Sequence, residues 1–288
     1  MQFFISTKFG IMLTFVRLCV IILLESEVFV EMFADERQKI IHGIIKKNGA
    51  VTISRLVSEF GVSTETARRD LLAMEKEGIL RRVHGGAVAI GEIMHRMPLE
   101  ERSHSFSREK IMLAKAAADL VEEGEIIGID AGSTAVPFAE ELAKRFSSLT
   151  VVTYSYDVFE VLSKCQGIKV ILIGGDYNSN ERYFGGPLAL NALDTVYMKK
   201  AFIIPMAVSL ENGISGFSQD FCTLSNKMME HSDEVVILAD SSKFEKRALY
   251  KRSETKSEYI YVTDGELSDE IKRLYDENGI KIIIGEKE

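Results

Sequence analysis

Two sets of residues in this chain have the types and spacing to do chemistry. The first lies between positions 63 and 84. Ser63, Thr64 and Thr66 bring hydroxyls, Arg68 and Arg69 bring cations a few residues on, and Arg81, Arg82 and His84 follow in a short apolar run. Hydroxyls and guanidinium groups of this kind bond phosphate oxygens and base edges. The second set recurs at the ends of short apolar runs. It comprises Asp130, Gly132, Ser133 and Thr134, then Thr153, Tyr154 and Ser155, then Gly174 and Gly175, then Asp220, and finally Asp240 and Lys243. Free N–H groups and hydroxyls at a helix start, with an ammonium group nearby, suit a small anion. Singly, a Gly-Ser-Thr is also a common cap and an Asp a common turn residue.

The first set needs a helix that faces outward. Three helical patterns precede and contain it. One runs over about 35–48, with Ile40, Ile41, Ile44 and Ile45 on one face, Asp35 as cap and Asn48-Gly49 as stop. A second covers 53–60, with Thr52 as cap and Leu56, Val57 and Phe60 inward. Gly61 permits a tight turn, Val62 plugs it, and Ser63 caps a third helix over 64–77. Ala67, Leu71 and Met74 then point to the core, which leaves Thr64, Glu65, Arg68 and Arg69 outside. Gly78 ends that helix, and "ILRRVHGGAV" reads as a hairpin. The order of helix, helix, glycine turn, capped basic helix and basic hairpin predicts a winged helix-turn-helix, with its third helix in the major groove of double-stranded operator DNA.

Charge follows the same division. The whole chain of 288 residues carries −8, yet residues 35–86 hold ten Lys and Arg against seven Asp and Glu, and residues 87–288 hold 23 against 33. A basic head on an acidic body lets one end meet phosphate while the rest stays soluble.

The second set needs strand ends. From Arg108 onward, "EIIGID", "LTVVTYS", "IKVILIGG", "KKAFIIPM", "EVVILAD" and "EYIYVTD" alternate with helical stretches such as "REKIMLAKAAADLV". Short β-branched runs with helices between them predict an α/β domain with a mostly parallel sheet covered on both faces. Ligands in such sheets sit beyond the carboxyl ends of strands, where the second set collects.

The ends of the chain and its cysteines bound the rest. Phe9–Leu24 is apolar apart from Arg17, short for a membrane span, and followed by no small-residue cleavage site. Met32 opens "MFADERQKI" like a natural start, so residues 1–31 are expected to be a mis-assigned start rather than an anchor, and no membrane partner is expected. Cys19, Cys165 and Cys222 are few, odd in number and far apart, which suits a reducing cytoplasm with no disulfide framework. No cofactor and no metal site are expected.

The stretch "ERQKI…GVSTETARRDLLAMEKEGILRRVHGGAV" resembles the helix-turn-helix signature of DeoR-type transcriptional repressors. The resemblance continues to about residue 285. It implies a Rossmann-like sensor domain similar in fold to ribose-5-phosphate isomerase and CoA transferases, which binds a phosphorylated sugar or related metabolite. The family's Asp-x-Gly-Thr-Thr matches Asp130, Gly132, Ser133 and Thr134, its Gly-Gly matches Gly174 and Gly175, and its Asp-Ser-Ser-Lys-Phe matches Asp240 to Phe244. The expected organisation is residues 32–88 for DNA binding, 89–108 as a linker and 109–288 as the sensor.

Three departures from that pattern bear on the ligand. Tyr154 stands where the family has Asn, and its phenol would fill ligand space. Ile204-Pro205-Met206 replaces small residues. Asp220 stands in place of Glu, and Ser225 stands near the family's Lys, while Lys227 is two residues out of register and faces elsewhere. Loss of that Lys removes a contact of about 1.5–3 kcal/mol to a phosphate. A ligand-released repressor, acting as a homo-oligomer (dimer or tetramer), is therefore expected, with a pocket that is partly filled or takes a less anionic ligand. The alternatives are an isomerase- or CoA-transferase-like enzyme with a DNA-binding head, and a constitutive DNA binder with a decayed pocket. Asp130 and Asp240 are candidates for an isomerase base, but no Glu follows a glycine-rich loop as a CoA transferase needs and the five His are scattered, so catalysis is not expected, since fold alone does not imply it.

Overall fold

The computed structural model describes residues 33–90 and 97–286. The expectation about residues 1–31 lies outside them. No helix among the described residues is long and apolar enough to cross a membrane.

The first unit begins with α1 (Ala34–Asn48), whose N-cap is Phe33 without a side-chain cap. Asp35, expected to cap it, instead lies in the first turn, where its charge suits the helix dipole. The buried stripe is Arg37, Ile41 and Ile45, while Ile40, expected inside, is 43% exposed. Arg37 goes in because Asp70 receives it. The two make a bidentate pair, Nε to Oδ2 at 2.7 Å and Nη2 to Oδ1 at 3.1 Å, which ties α1 to the third helix.

Strand β1 (Ala50–Thr52) follows, then α2 (Ile53–Phe60) and α3 (Thr64–Lys76). Both expected caps form, Thr52 accepting from the Arg55 N–H and Ser63 from the Thr66 N–H. Gly61 takes the left-handed φ of 63° that the turn between α2 and α3 requires. Ala67, Leu71 and Met74 pack with Ile41, Ile45 and Leu56. Strands β2 (Leu80–Val83) and β3 (Gly86–Ala89) form the expected hairpin, and β3 also pairs with β1, a strand too short to show in the sequence pattern.

The stretch expected to be a linker contains α4 (Leu99–His104), and α5 (Ser107–Ala118) begins just before it ends. The sensor continues through β4 (Ile126–Ile129), α6 (Ala135–Arg145), β5 (Leu149–Thr153), α7 (Tyr156–Leu162), β6 (Ile168–Leu172), β7 (Asp176–Asn178), β8 (Tyr183–Gly185) and α8 (Gly186–Leu193). It is completed by β9 (Met198–Ile203), β10 (Ala207–Ser209), β11 (Gly213–Gly216), α9 (Gln219–Glu230), β12 (Ser232–Leu238), β13 (Tyr250–Ser253), β14 (Ile260–Thr263), α10 (Asp269–Glu277) and β15 (Ile282–Ile284), with a 3-10 turn at Ser241–Lys243.

Seven of these strands make one parallel sheet in the order β15-β14-β12-β9-β4-β5-β6. Strand residues alternate between two cores. Phe202 and Val236 pack with Phe138 of α6 and Leu113 of α5, whereas Ile203 and Ile237 pack with Leu224 of α9 and Leu274 of α10. Burial on both faces is what makes these strands read as continuous apolar runs. Chain order reverses between β4 and β9, so a crevice opens at their carboxyl ends. Two small antiparallel pieces, β7-β8 and β10-β11-β13, stand above that end.

Candidate nucleic-acid interface and effector cavity

At the DNA-binding end, Ser63 and Thr66 start α3 with their hydroxyls 2.9 Å apart. Thr64, Arg68 and Arg69 are exposed on the same helix, and Arg69 lies 4.0 Å from Glu65. Arg68 lines a cleft of about 270 Å³ together with Arg82 and His84 of the hairpin. Glu75 orients that wing by accepting from the Arg82 N–H at 2.8 Å and pairing with its Nε at 3.3 Å. Arg81 points the other way and pairs with Glu211 of the sensor. Three of the expected contacts thus share one cleft, and one is held by the other domain.

At the sensor end, a cavity of about 140 Å³ opens at the chain reversal. Ala131 and Gly132 follow β4, Ile204 and Met206 follow β9, and Lys243 follows β12. Asn178, Glu181 and Tyr183 come from the β7-β8 region, Phe217, Ser218 and Phe221 from the start of α9, and Arg102 from α4. Gly132 has a φ of 144°, and a Cβ there would come within 3.1 Å of Ile204, so the backbone itself forms that wall.

The cavity is cationic at one side. Burial pushes the Lys243 ammonium below its usual range, Asp240 at 3.7 Å opposes that shift, and Arg102 and Arg252 add to it. Arg102 is paired with Glu181 and also donates to the Met97 carbonyl at 3.1 Å. Lys110 lies behind, donating to the carbonyls of Arg102 and of Ser105 at the end of α4. Burial, then the charge of Lys243, lowers its pKa to about 8.

Beneath the cavity the departures from the family pattern act together. Asp130 is fully buried. Its carboxylate accepts from the Tyr154 hydroxyl, from Ser225 at 3.2 Å, from Arg252 Nη1 at 3.1 Å, and from the N–H groups of Ala131 at 2.8 Å and Ile204 at 3.0 Å. Tyr154 and Tyr183 pack edge-on against Phe221, with ring centroids 6.0 and 5.0 Å away. Burial first, then the Asp130 charge, holds the Tyr154 phenol well above its ordinary pKa. Lys227 turns away to Asp194 at 2.7 Å, as its register requires.

Of the expected ligand positions, Gly132 and Lys243 line the cavity. Asp130 and Tyr154 spend their polar atoms on each other beneath it. Ser133 and Thr134 are buried, and the Thr134 hydroxyl finds no partner among the described residues. Thr153 donates to the Ile129 carbonyl, and Ser155 caps α7. Gly174 follows β6 with open space beside it, and Gly175 passes tightly against the Gly185 carbonyl. Asp220 is exposed, and Asp240 is buried against Ser242 and Lys243. Sequence reasoning missed Arg102, Asn178, Glu181 and Phe217. A signal for the first was present, since Glu100 and Glu101 open α4 and Arg102 and His104 close it, matching the helix dipole.

Comparison with known proteins covers both ends. The DeoR-like helix-turn-helix domain matches residues 37–92, and the DeoR C terminal sensor domain matches residues 105–265. The transcriptional repressor AccR of Agrobacterium fabrum is 31% identical over 80% of this chain and 89% of its own length. The lactose phosphotransferase system repressor of Lactococcus lactis is 34% identical over 70% of this chain and 80% of its own length. Among solved structures, ribose 5-phosphate isomerase A of Methanocaldococcus jannaschii overlaps 49% of this chain and 55% of its own, with 22% identity and a TM-score of 0.37.

Proposed function

Because the chain belongs to the DeoR family of DNA-binding transcriptional regulators, we propose that it represses a carbohydrate-metabolism operon and releases its operator when a small phosphorylated metabolite enters the cavity. The observation that carries the reading is the shared cleft of Arg68, Arg82 and His84 beside the capped start of α3. A groove-bound helix flanked by a wing uses such residues on base edges and phosphates. Dimers would place two such helices in successive major grooves, so a homo-oligomer in the cytoplasm suits the fold. The anion would meet Lys243 and Arg102, with apolar groups against Ile204, Met206 and Phe221. The ligand releases DNA to the extent that it binds the non-binding arrangement better.

A second reading, a constitutive DNA binder, gains support from the Asp130 carboxylate being saturated by the protein's own donors. One titration separates the two. Anisotropy of labelled DNA from the region upstream of the gene is followed with protein, at several salt concentrations, with and without a panel of sugar phosphates. The proposal expects selective, salt-sensitive binding that one metabolite weakens. Selective binding that no metabolite alters favours the second reading, and absence of selective binding rejects both.

A further inference from the structure

Glu245 occupies an unusual position between the cavity and the wing. It lies two residues beyond Lys243, is 3% exposed, and adopts a left-handed φ of 54°. A non-glycine residue persists there only when its surroundings over-determine it. Those surroundings are two arms. Tyr275 of α10 donates to Oε1 at 2.7 Å, and the Phe244 ring packs against that tyrosine with centroids 5.4 Å apart. Leu210 donates its N–H to the same oxygen at 3.1 Å, and Ser209 reaches Oε2 at 3.4 Å.

Each arm ends on the DNA-binding domain. Along α10 and just beyond it, Asn278 donates to the His84 carbonyl at 3.3 Å, and Leu274 packs so closely on Gly86 that a Cβ there would lie 2.9 Å from it. Immediately before α10, Ser268 donates to the Asn48 carbonyl at 2.9 Å. On the other arm, the residue after Leu210 is Glu211, the partner of Arg81. His84 and Arg81 are both wing residues. One buried carboxyl group therefore holds both the helix and the turn that hold the wing, and it is joined to a cavity-wall cation by one intervening residue.

We propose that Glu245 is a positioning residue that couples the sensor cavity to the DNA-binding wing, by holding α10 and the 209–211 turn in register with the Lys243 segment. The regulatory role rests on the cavity being the effector site. The coupling itself is a property of the fold and is measurable without any ligand. An anion drawn to Lys243 shifts the 241–245 segment, and the shift reaches Arg81 and His84 through the two arms. Coupling carried this way needs a demonstrated energetic link, since spatial intermediacy alone does not supply one.

The test is a double-mutant cycle read by hydrogen exchange of residues 80–89 in the full chain, free of DNA and ligand. Lys243→Met perturbs the cavity. With Glu245 present, it is expected to change wing exchange by about threefold or more, the scale of ordinary coupling. With Glu245→Ala the same perturbation should leave the wing unchanged, and with Glu245→Gln, which keeps a neutral acceptor of the same shape, the effect should return. Should Glu245→Ala fail to fold, Tyr275→Phe cuts the α10 arm alone and should reduce the effect. A wing indifferent to Lys243→Met overturns the proposal, as does an effect that survives loss of Glu245 or, where that variant does not fold, survives Tyr275→Phe undiminished. Neither result touches the metabolite titration, so failure of the coupling and failure of the ligand reading are told apart.

Discussion

Removing the Asp70 carboxylate should detach recognition from sensing. Arg37 and Asp70 make two hydrogen bonds, at 2.7 and 3.1 Å, with side chains only 10% and 7% exposed. They link α1 to α3 beside the apolar cluster of Ile41, Ile45, Leu56, Ala67, Leu71 and Met74. Breaking a buried pair by deleting one member leaves an uncompensated charge and costs about 3–5 kcal/mol. A core of fewer than about 70 residues rarely supplies more than 3–5 kcal/mol. Asp70→Ala therefore removes most of the stability that the core of residues 33–90 supplies by itself, while touching no contact within the sensor. The chain is suited to the measurement, because all nine tyrosines lie beyond residue 150. Tyrosine fluorescence during urea unfolding reports the sensor alone, and hydrogen exchange of the α3 amides reports the DNA-binding unit. Expected are α3 amides that exchange at least a hundredfold faster, lost operator binding, and a tyrosine midpoint that moves far less, by no more than the contacts of α10 with Ala50, Gly86 and Val88 account for. Arg37→Met with Asp70→Leu replaces the pair by apolar groups and should recover most of the loss, since such replacements are often close to neutral. A single variant that costs under about 1 kcal/mol, or a double variant no better than either single, would refute the reasoning.

Other outcomes follow from the same geometry. Between about pH 8 and 10.5 the unfolded chain holds a proton on Lys110 that the native chain has shed, so stability rises with pH. Above about pH 10 the buried Tyr154, Tyr261 and Tyr275 keep protons that the unfolded chain loses, so stability falls. Urea midpoints from pH 7 to 11 should show the rise and then the fall, and Lys110→Met should reduce the rise to the part that the buried Lys243 contributes. Arg68→Gln and Arg82→Gln should each weaken binding to all DNA sequences and reduce the slope of log affinity against log salt by about one, if each meets a phosphate. An unchanged slope in anisotropy titrations would place them off the backbone. Tyr154→Phe takes one donor from a buried carboxylate that keeps four others, so calorimetry should show a loss of about 1.5–3 kcal/mol, and no loss would mean that the phenol does not sustain the Asp130 network.

What could be read from the sequence was local. Thr52 and Ser63 declare their caps within three residues, and the sheet declares itself because each strand is apolar on both faces. The expectation that Tyr154 fills ligand space also rested on one side chain's bulk; its phenol is buried against Asp130, beneath the cavity rather than in its lining. Arg37 was illegible because a cation at a helix start reads as solvent-facing until its partner, 33 residues on, is in view. Strands β1, β7 and β10, three residues each, are too short for any period to appear. The charge order around Arg102 signalled a helix, but its place at the cavity did not show, because its partner Glu181 lies far along the chain.

Apart from the short hairpin strands β7 and β10, what stayed illegible joins segments distant in sequence. Arg102 meets Glu181, Arg81 meets Glu211, and Tyr275 meets Glu245. A regulator must carry information between a cavity and a surface, and the contacts able to carry it are necessarily long-range. Pattern along the chain therefore identifies the two ends of such a protein more readily than the means by which one end informs the other. In this chain the means is polar. The contacts at Glu245 and Arg81 are hydrogen bonds and an ion pair laid over an apolar base of Leu274 on Gly86. Such directional contacts favour discrete arrangements over continuous deformation, which is the property that a switch between bound and released states requires.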